Sequence, residues 1–183
     1  MEPDTLLFAY AHGMFPMKAE GDLWWWSPCE RGIIPLDGFR VSRSLRKSAR
    51  RFSCTVNRSF VDVMKRCATS HVDGNWIDDD FLDAYTRLHA GGHAHSVEVW
   101  NRSGELVGGV YGVRVNNFFA GESMFHSETD ASKVALMHLV GLMRLDGMTL
   151  LDTQWLTDHL ESLGGVAVPR AEYLRLLGSA VVD

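Results

Sequence analysis

The chain lacks most of the features that assign a protein quickly. It has only three cysteines, Cys29, Cys54 and Cys67. An odd, scattered set does not make a disulfide framework and suits reduced thiols in the cytoplasm. No apolar run approaches the roughly 18 to 20 residues of a membrane span. The start, Met1-Glu2-Pro3-Asp4, has no basic n-region and no small-residue cleavage site, so no signal peptide is expected. Repeats and low-complexity segments are missing. So are a serine or cysteine nucleophile pattern and a phosphate loop. With neither of these last two, an acid in an apolar run (Glu122) and a carboxylate–amide pair (Asp152, Gln154) suggest chemistry on a substrate that arrives already activated.

The chain is 183 residues long, 46% hydrophobic and 22% charged. That is enough to bury a core as one globular domain with a small appendage. The net charge of -5 argues weakly against general nucleic-acid binding. Distribution matters more than the sum. Arg40, Arg43, Arg46, Lys47, Arg50 and Arg51 crowd one short segment with no acid among them. A solvated helix face would usually interleave acids, so this segment is a candidate anion-binding surface.

Periodicity and punctuation give the elements. Pro3 to His12 reads as a helix stopped at Gly13. Phe15-Pro16 ends any continuation, and Gly21 to Pro28 reads as a loop holding Trp24, Trp25 and Trp26. Gly32 to Leu36 reads as a strand. Ser42 caps a helix through Arg51 that carries the basic cluster. Ser53 to Asn57 reads as a strand and Ser59 to Ala68 as a helix. Asp78, Asp79 and Asp80 suit the N-terminus of a helix that runs through His89 to Gly91-Gly92. Ser96 to Trp100, Leu106 to Val115 and Phe118 to Met124 alternate with turn residues and form an antiparallel meander. A long apolar helix to Leu145 follows, then a strand from Thr149 to Gln154. A short helix begins at Asp158. The last opens at Pro169 with Tyr173, Leu174 and Leu177 inward. The expected fold is a mixed α/β sheet of the α+β kind.

Two places carry candidate chemistry. Glu122 is an acid in an apolar run, Gly121-Glu122-Ser123-Met124-Phe125. Buried acids are rarely left unpaired, and Lys133 or an arginine would be the simplest partner. Asp152 and Gln154 lie at i and i+2 on a strand end, so they are expected to share a face and point into one space. His89, His93 and His95 resemble a zinc cluster at first sight. No cysteine or acid completes a ligand set at typical spacing, so no metal is expected.

Phe15-Pro16, Trp25-Trp26-Ser27-Pro28, Ser42-Arg43-Ser44, Asn75-Trp76-Ile77, Gly92 to Trp100, Val107 to Gly112, Gly121 to Phe125, Ala131-Ser132-Lys133, Leu151-Asp152-Thr153-Gln154, Asp158-His159 and Ser162-Leu163-Gly164 occur in one order. With this series the chain resembles the leucyl/phenylalanyl-tRNA–protein transferases from about Pro3 to Leu177. The resemblance implies a GNAT-like acyltransferase domain, residues 30–183, behind a reduced N-terminal domain, residues 1–29. It implies transfer of leucine or phenylalanine, with methionine a further candidate, from aminoacyl-tRNA to proteins beginning with arginine or lysine. That reaction feeds the bacterial N-end rule degradation pathway. It implies a cytoplasmic monomer with no cofactor.

The same resemblance implies the site. Asp152 polarises Gln154, whose side-chain carbonyl engages the attacking amine. Glu122 and Thr157 bind the acceptor peptide. Trp76, Phe119, Leu139, Met143 and Leu151 surround the aminoacyl side chain. Met17 stands where the terminal adenosine is read, a position often held by tryptophan in the family, and Trp24 to Trp26 are candidates to substitute. Arg40, Arg43, Arg46, Lys47, Arg50 and Arg51 match the positive patch for the tRNA acceptor stem, where contacts are phosphate-directed. Leu139 and Met143 are aliphatic where phenylalanine is frequent, and the family's leading Gly-Gly-Asp-Leu run is absent. Two other readings remain. An acyl-coenzyme A transferase would need a glycine-containing phosphate cradle, and His126 to Ser132 has no glycine and two acids. A non-catalytic binder of tRNA or of basic N-termini would not need Asp152 and Gln154.

Overall fold

The computed structural model describes residues 1–70 and 77–182. Trp76 therefore lies outside the described residues, as does most of the Asn75-Trp76-Ile77 motif. The chain opens with α1 (Pro3–Ala11), with proline in its first turn, where its missing N–H costs nothing. β1 (Phe15–Ala19) and β2 (Asp22–Trp26) then form an antiparallel hairpin. This corrects the expected loop. Three consecutive tryptophans hid the period of two, but Glu20 and Gly21 both take positive φ, 55° and 88°. That is the backbone of a tight two-residue hairpin turn.

β3 (Glu30–Ile34) starts earlier than expected and yields at Pro35 to a 3-10 turn, Leu36–Gly38. α2 (Arg43–Ala49) carries the basic cluster, and the Ser42 hydroxyl caps it by accepting the Leu45 N–H at 3.1 Å. Next come β4 (Ser53–Val56), α3 (Phe60–Ser70) and α4 (Asp79–Ala90). Asp78 caps α4 through the Phe81 N–H. β5 (Ala94–Trp100), β6 (Leu106–Val115) and β7 (Phe118–His126) form the expected meander, with β7 two residues longer. α5 (Ala131–Leu145) crosses over to β8 (Leu150–Gln154). α6 (Asp158–Ser162), a short edge strand β9 (Val166–Pro169) and α7 (Arg170–Val181) complete the chain. β9 was not foreseen. It has four residues, mostly exposed, and so shows no hydrophobic alternation. Tyr173 and Leu177 are buried as expected, but Leu174 is 41% exposed on the outer face of α7.

Seven strands form one mixed sheet in the order β4-β5-β6-β7-β8-β3-β9. α5 covers one face, over a core that includes Val97, Val110, Phe119 and Leu151. α1, α3, α4 and α7 cover the other, over Tyr85, Tyr111, Phe118 and Tyr173. All neighbouring strands are antiparallel except β7 and β8. That parallel pair is short: Phe118, Phe119 and Ala120 face Leu150, Leu151 and Asp152, and there the pairing ends. β7 runs on while β8 stays with β3, so the sheet opens into a cleft near its middle. Among the described residues, no helix is long and apolar enough to cross a membrane.

Candidate active site

Glu122 and Gln154 each lie two residues past the last bonded pair, Ala120 and Asp152. They meet across the opening, where the Gln154 side-chain N–H donates to Glu122 Oε1 at 3.1 Å. Each departs from regular strand. On β7, Tyr111 pairs with Ser123 and Gly112 with Gly121, so Glu122 is the extra residue of a β-bulge. A bulge re-aims a side chain that regular pleating would place elsewhere. Gly112 makes the bulge possible, because a Cβ there would stand 2.1 Å from the Ala120 carbonyl oxygen. On β8, Gln154 takes φ 59° and the Trp155 N–H closes onto the Thr153 carbonyl at 2.7 Å. That three-residue turn around a positive φ is the rarer, strained form of γ-turn. Gly32 on β3 leaves the room for it, since a Cβ there would stand 2.6 Å from the Trp155 backbone.

The cleft holds a cavity of about 400 Å³. Phe15, Pro16 and Met17 of the hairpin form one wall. Val110, Met124, Leu136 and Leu151 line the apolar side. Glu122, Gln154, Thr157 and His159 bring polar groups to it, and Trp155 stands at its edge. Trp155 is 40% exposed and packs edge-on against Phe15 and Trp26. Thr153 also lines the cavity, and its buried hydroxyl has no hydrogen-bond partner among the described residues. His159 Nε2 is likewise unpartnered. Burial, with Lys133 and His126 nearby, lowers the His159 pKa and keeps the ring neutral.

Glu122 is not paired with Lys133, which lies 3.9 Å from Asp130 instead. Its neighbours are neutral donors. Tyr85 donates to Glu122 Oε2 at 3.2 Å, and the Tyr10 and Tyr85 hydroxyls meet behind it. Burial pushes the Glu122 carboxyl up to about 8. The Tyr10 hydrogen bond opposes that rise, the Asp152 charge adds to it, and Tyr85 and Arg31 oppose it. Burial and the Glu122 charge raise both tyrosines well above their usual value, so they remain hydrogen-bond donors.

Asp152 is fully buried and not on the cavity wall. Arg31 grips it with two parallel bonds, Nε to Oδ1 at 2.8 Å and Nη2 to Oδ2 at 2.6 Å. The Tyr173 hydroxyl donates to Oδ2 at 2.9 Å and the Gln154 backbone N–H donates to Oδ1 at 2.9 Å. Asp152 therefore reaches Gln154 through the main chain, while the Gln154 side chain turns to Glu122. The i, i+2 spacing foresaw the neighbourhood; the turn at Gln154 separates the two side chains.

The residues expected around the aminoacyl side chain divide. Leu151 lines the main cavity. Phe119, its partner in the β7–β8 register, lines a smaller cavity of about 170 Å³ with Leu139 and Met143 further along α5. Thr157 lines the main cavity and also caps α6 by accepting the Leu160 N–H at 3.3 Å. Met17 lines the main cavity opposite Trp24 in the hairpin register. Arg40, Arg43, Arg46, Lys47, Arg50 and Arg51 are all exposed, and none forms an ion pair among the described residues. The three histidines do not converge on a common point. His89 Nδ1 meets the Ala94 carbonyl and His95 Nδ1 the Asn57 amide. Sequence reasoning missed Arg31, Tyr10, Tyr85 and Trp155. Arg31 had one signal, a charge inside a strand otherwise leading into Gly32-Ile33-Ile34.

Solved structures share this architecture. The crystal structure of FemX aligns with a TM-score of 0.55 at 13% identity, over 78% of this chain and 60% of FemX. The structure of L-PGS from Bacillus licheniformis aligns at 0.51 and 13%, over 84% and 65%. The fold is thus a mixed α/β class, as the sequence led one to expect, and FemX and L-PGS share it. The sequence family is narrower. The profile of leucyl/phenylalanyl-tRNA protein transferase matches residues 33–178, and that of its N-terminal domain matches residues 1–29. Curated proteins named leucyl/phenylalanyl-tRNA–protein transferase are similar over nearly all of this chain. That of Rhizorhabdus wittichii is 50% identical over 99% of this chain and 75% of its own length. Those of Pseudoalteromonas atlantica and Herpetosiphon aurantiacus are 51% and 47% identical, over 97% and 99% of this chain and 78% and 95% of their own lengths. The chain belongs to the leucyl/phenylalanyl-tRNA–protein transferase family.

Proposed function

We propose that the cleft between β7 and β8 transfers leucine or phenylalanine from aminoacyl-tRNA to the α-amine of proteins that begin with arginine or lysine. The lone pair of that amine attacks the ester carbonyl carbon. A C–N bond forms, the ester C–O bond breaks, and the terminal ribose oxygen of the tRNA leaves with a proton. The ester is already activated, so alignment supplies much of the rate. The observation that carries the reading is the Glu122–Gln154 pair at the wall of a largely apolar cavity. With its N–H turned to Glu122, Gln154 has its carbonyl oxygen left to accept a hydrogen bond from the attacking amine. Glu122 and Thr157 then hold the acceptor, and an ionised Glu122 suits its cationic first side chain.

The aminoacyl side chain enters past Leu151 toward Phe119, Leu139 and Met143, and the terminal adenosine rests by Met17. Residues 1–29 act as the N-terminal domain and residues 30–183 as the catalytic one. The six cations of residues 40–51 receive acceptor-stem phosphates. The enzyme works as a monomer in the cytoplasm, and its product enters the N-end rule pathway. Transfer of radiolabelled leucine from Leu-tRNA to a substrate with N-terminal arginine, beside one with N-terminal alanine, tests this. Label on the arginine substrate alone is expected. Label on neither, with tRNA still retained, leaves a non-catalytic binder.

A further inference from the structure

Among the described residues, Arg31 is the bulkiest side chain that the fold buries almost completely, at 1% exposure. A guanidinium so placed is costly unless every donor is used and its charge is matched. Here it is. Its Cζ sits over the rings of Phe15 and Tyr173, 4.7 and 4.4 Å from their centroids. Nη1 donates to the Gly13 carbonyl at 3.1 Å, and the remaining edge takes both oxygens of Asp152. No Arg31 atom lines the cavity.

The geometry points to Arg31 as a positioning residue for the transfer reaction, acting through Asp152 on the backbone of Gln154. A carboxylate gripped at both oxygens cannot rotate. Its Oδ1 is thereby fixed on the Gln154 N–H, and that bond holds Gln154 at φ 59°, which a residue with a Cβ does not take freely. The strained turn aims the amide at Glu122 across the cleft. β3 thus serves Gln154 twice, with Gly32 clearing space for the turn and its neighbour Arg31 locking it. The inference rests on the transferase reading of the cleft.

Single-turnover transfer from Leu-tRNA to an arginine-initiated peptide tests it, in the wild type, Arg31→Met, Arg31→Lys, Asp152→Asn and the Arg31→Met/Asp152→Asn double variant. Transfer by the wild type is the control: its absence overturns the transferase reading itself. Given wild-type transfer, Arg31→Met is expected to slow the step about a hundredfold, the usual scale for an ångström of misplacement, with tRNA retention and half-saturation by the peptide unchanged. Arg31→Lys is expected to recover only part, because lysine supplies charge without the two-pronged grip. The double variant is expected to be no slower than the worse single one, since both changes break one chain of contacts. An Arg31→Met rate within threefold of wild type overturns the inference. So does a loss confined to half-saturation, which would place Arg31 against substrate, or a double variant whose losses multiply. Should Arg31→Met not fold, Arg31→Lys and Tyr173→Phe decide: slowed transfer at unchanged half-saturation supports the role, and unslowed transfer in both refutes it.

Discussion

Two sets of cations divide this molecule. Arg31 is buried against two aromatic rings and matched to one carboxylate by two bonds. The six cations of residues 40–51 stand in solvent with no carboxylate partner among the described residues. The first set is built for fixed geometry. A low-dielectric site makes each hydrogen bond strong and each unmatched charge costly, so everything around it must be specified. On the proposed reading, the second set meets a mobile polyanion. Exposed, unpaired charges keep their field for a partner that brings its own counterions. Changes in the first set should therefore act on the rate and on folding, and changes in the second on affinity and its salt dependence.

The largest expected effect comes from Asp152→Ala. It leaves Arg31 buried without its counter-charge, a loss on the order of 3–5 kcal/mol. Urea unfolding measures that loss, and transfer by the folded fraction is expected to fall by more than a hundredfold as Gln154 loses its turn. If stability and rate both survive, the buried set is not what holds the site.

Glu122→Gln comes next, and its sign can be worked out. The Glu122 carboxyl is raised from 4.5 to about 8, so it is mainly neutral below that pH and ionised above it. Transfer by the wild type is expected to climb with pH through about 8, as the carboxylate that holds a cationic acceptor forms. In the glutamine variant the rate is low and that step is gone; a pH–rate profile checks both. Stability runs the other way. A raised folded pKa contributes stability that is full below 4.5 and lost as pH rises through 8. Thermal melts across that window should show a decline in the wild type that the variant lacks.

Within the exposed set, Arg46→Ala and Arg50→Ala are expected to weaken tRNA retention while single-turnover transfer at saturating tRNA stays unchanged. Each lost phosphate contact lowers the slope of log affinity against log salt by about 0.7 to 0.9. An unchanged slope would mean that the segment is only a solvated face. The smallest effect is expected at the side-chain pocket. Met143→Phe narrows the smaller cavity beyond Phe119 and should cut transfer from Phe-tRNA relative to Leu-tRNA by roughly tenfold, the scale of one or two methylenes. Competition between the two charged tRNAs reads it.

The same division explains what could be read in advance. The exposed cations were legible because a run of basic residues without acids is a local pattern. The meander, α5 and the caps at Ser42 and Asp78 were legible for the same reason. The buried set depends on contacts far apart in sequence. Arg31 meets Asp152, and Tyr85 meets Glu122, only after the fold has brought β3 beside β8 and Tyr85 of α4 within reach of β7. The spacing of Asp152 and Gln154 marked the right strand end, but it assumed a straight strand. The turn at Gln154 and the bulge at Glu122 are what give the two residues their aim, and neither is written in hydrophobic alternation. The hairpin of β1 and β2 was missed because Leu23, Trp24 and Trp25 lie exposed on both faces.

The most direct measurement is single-turnover transfer of radiolabelled leucine by Gln154→Ala, with retention of Leu-tRNA followed in parallel. If the amide aimed across the β7–β8 cleft aligns the attacking amine, transfer falls about a hundredfold or more while tRNA is retained as by the wild type. Transfer at the wild-type rate would place the reacting amine elsewhere and contradict the assignment of this cleft.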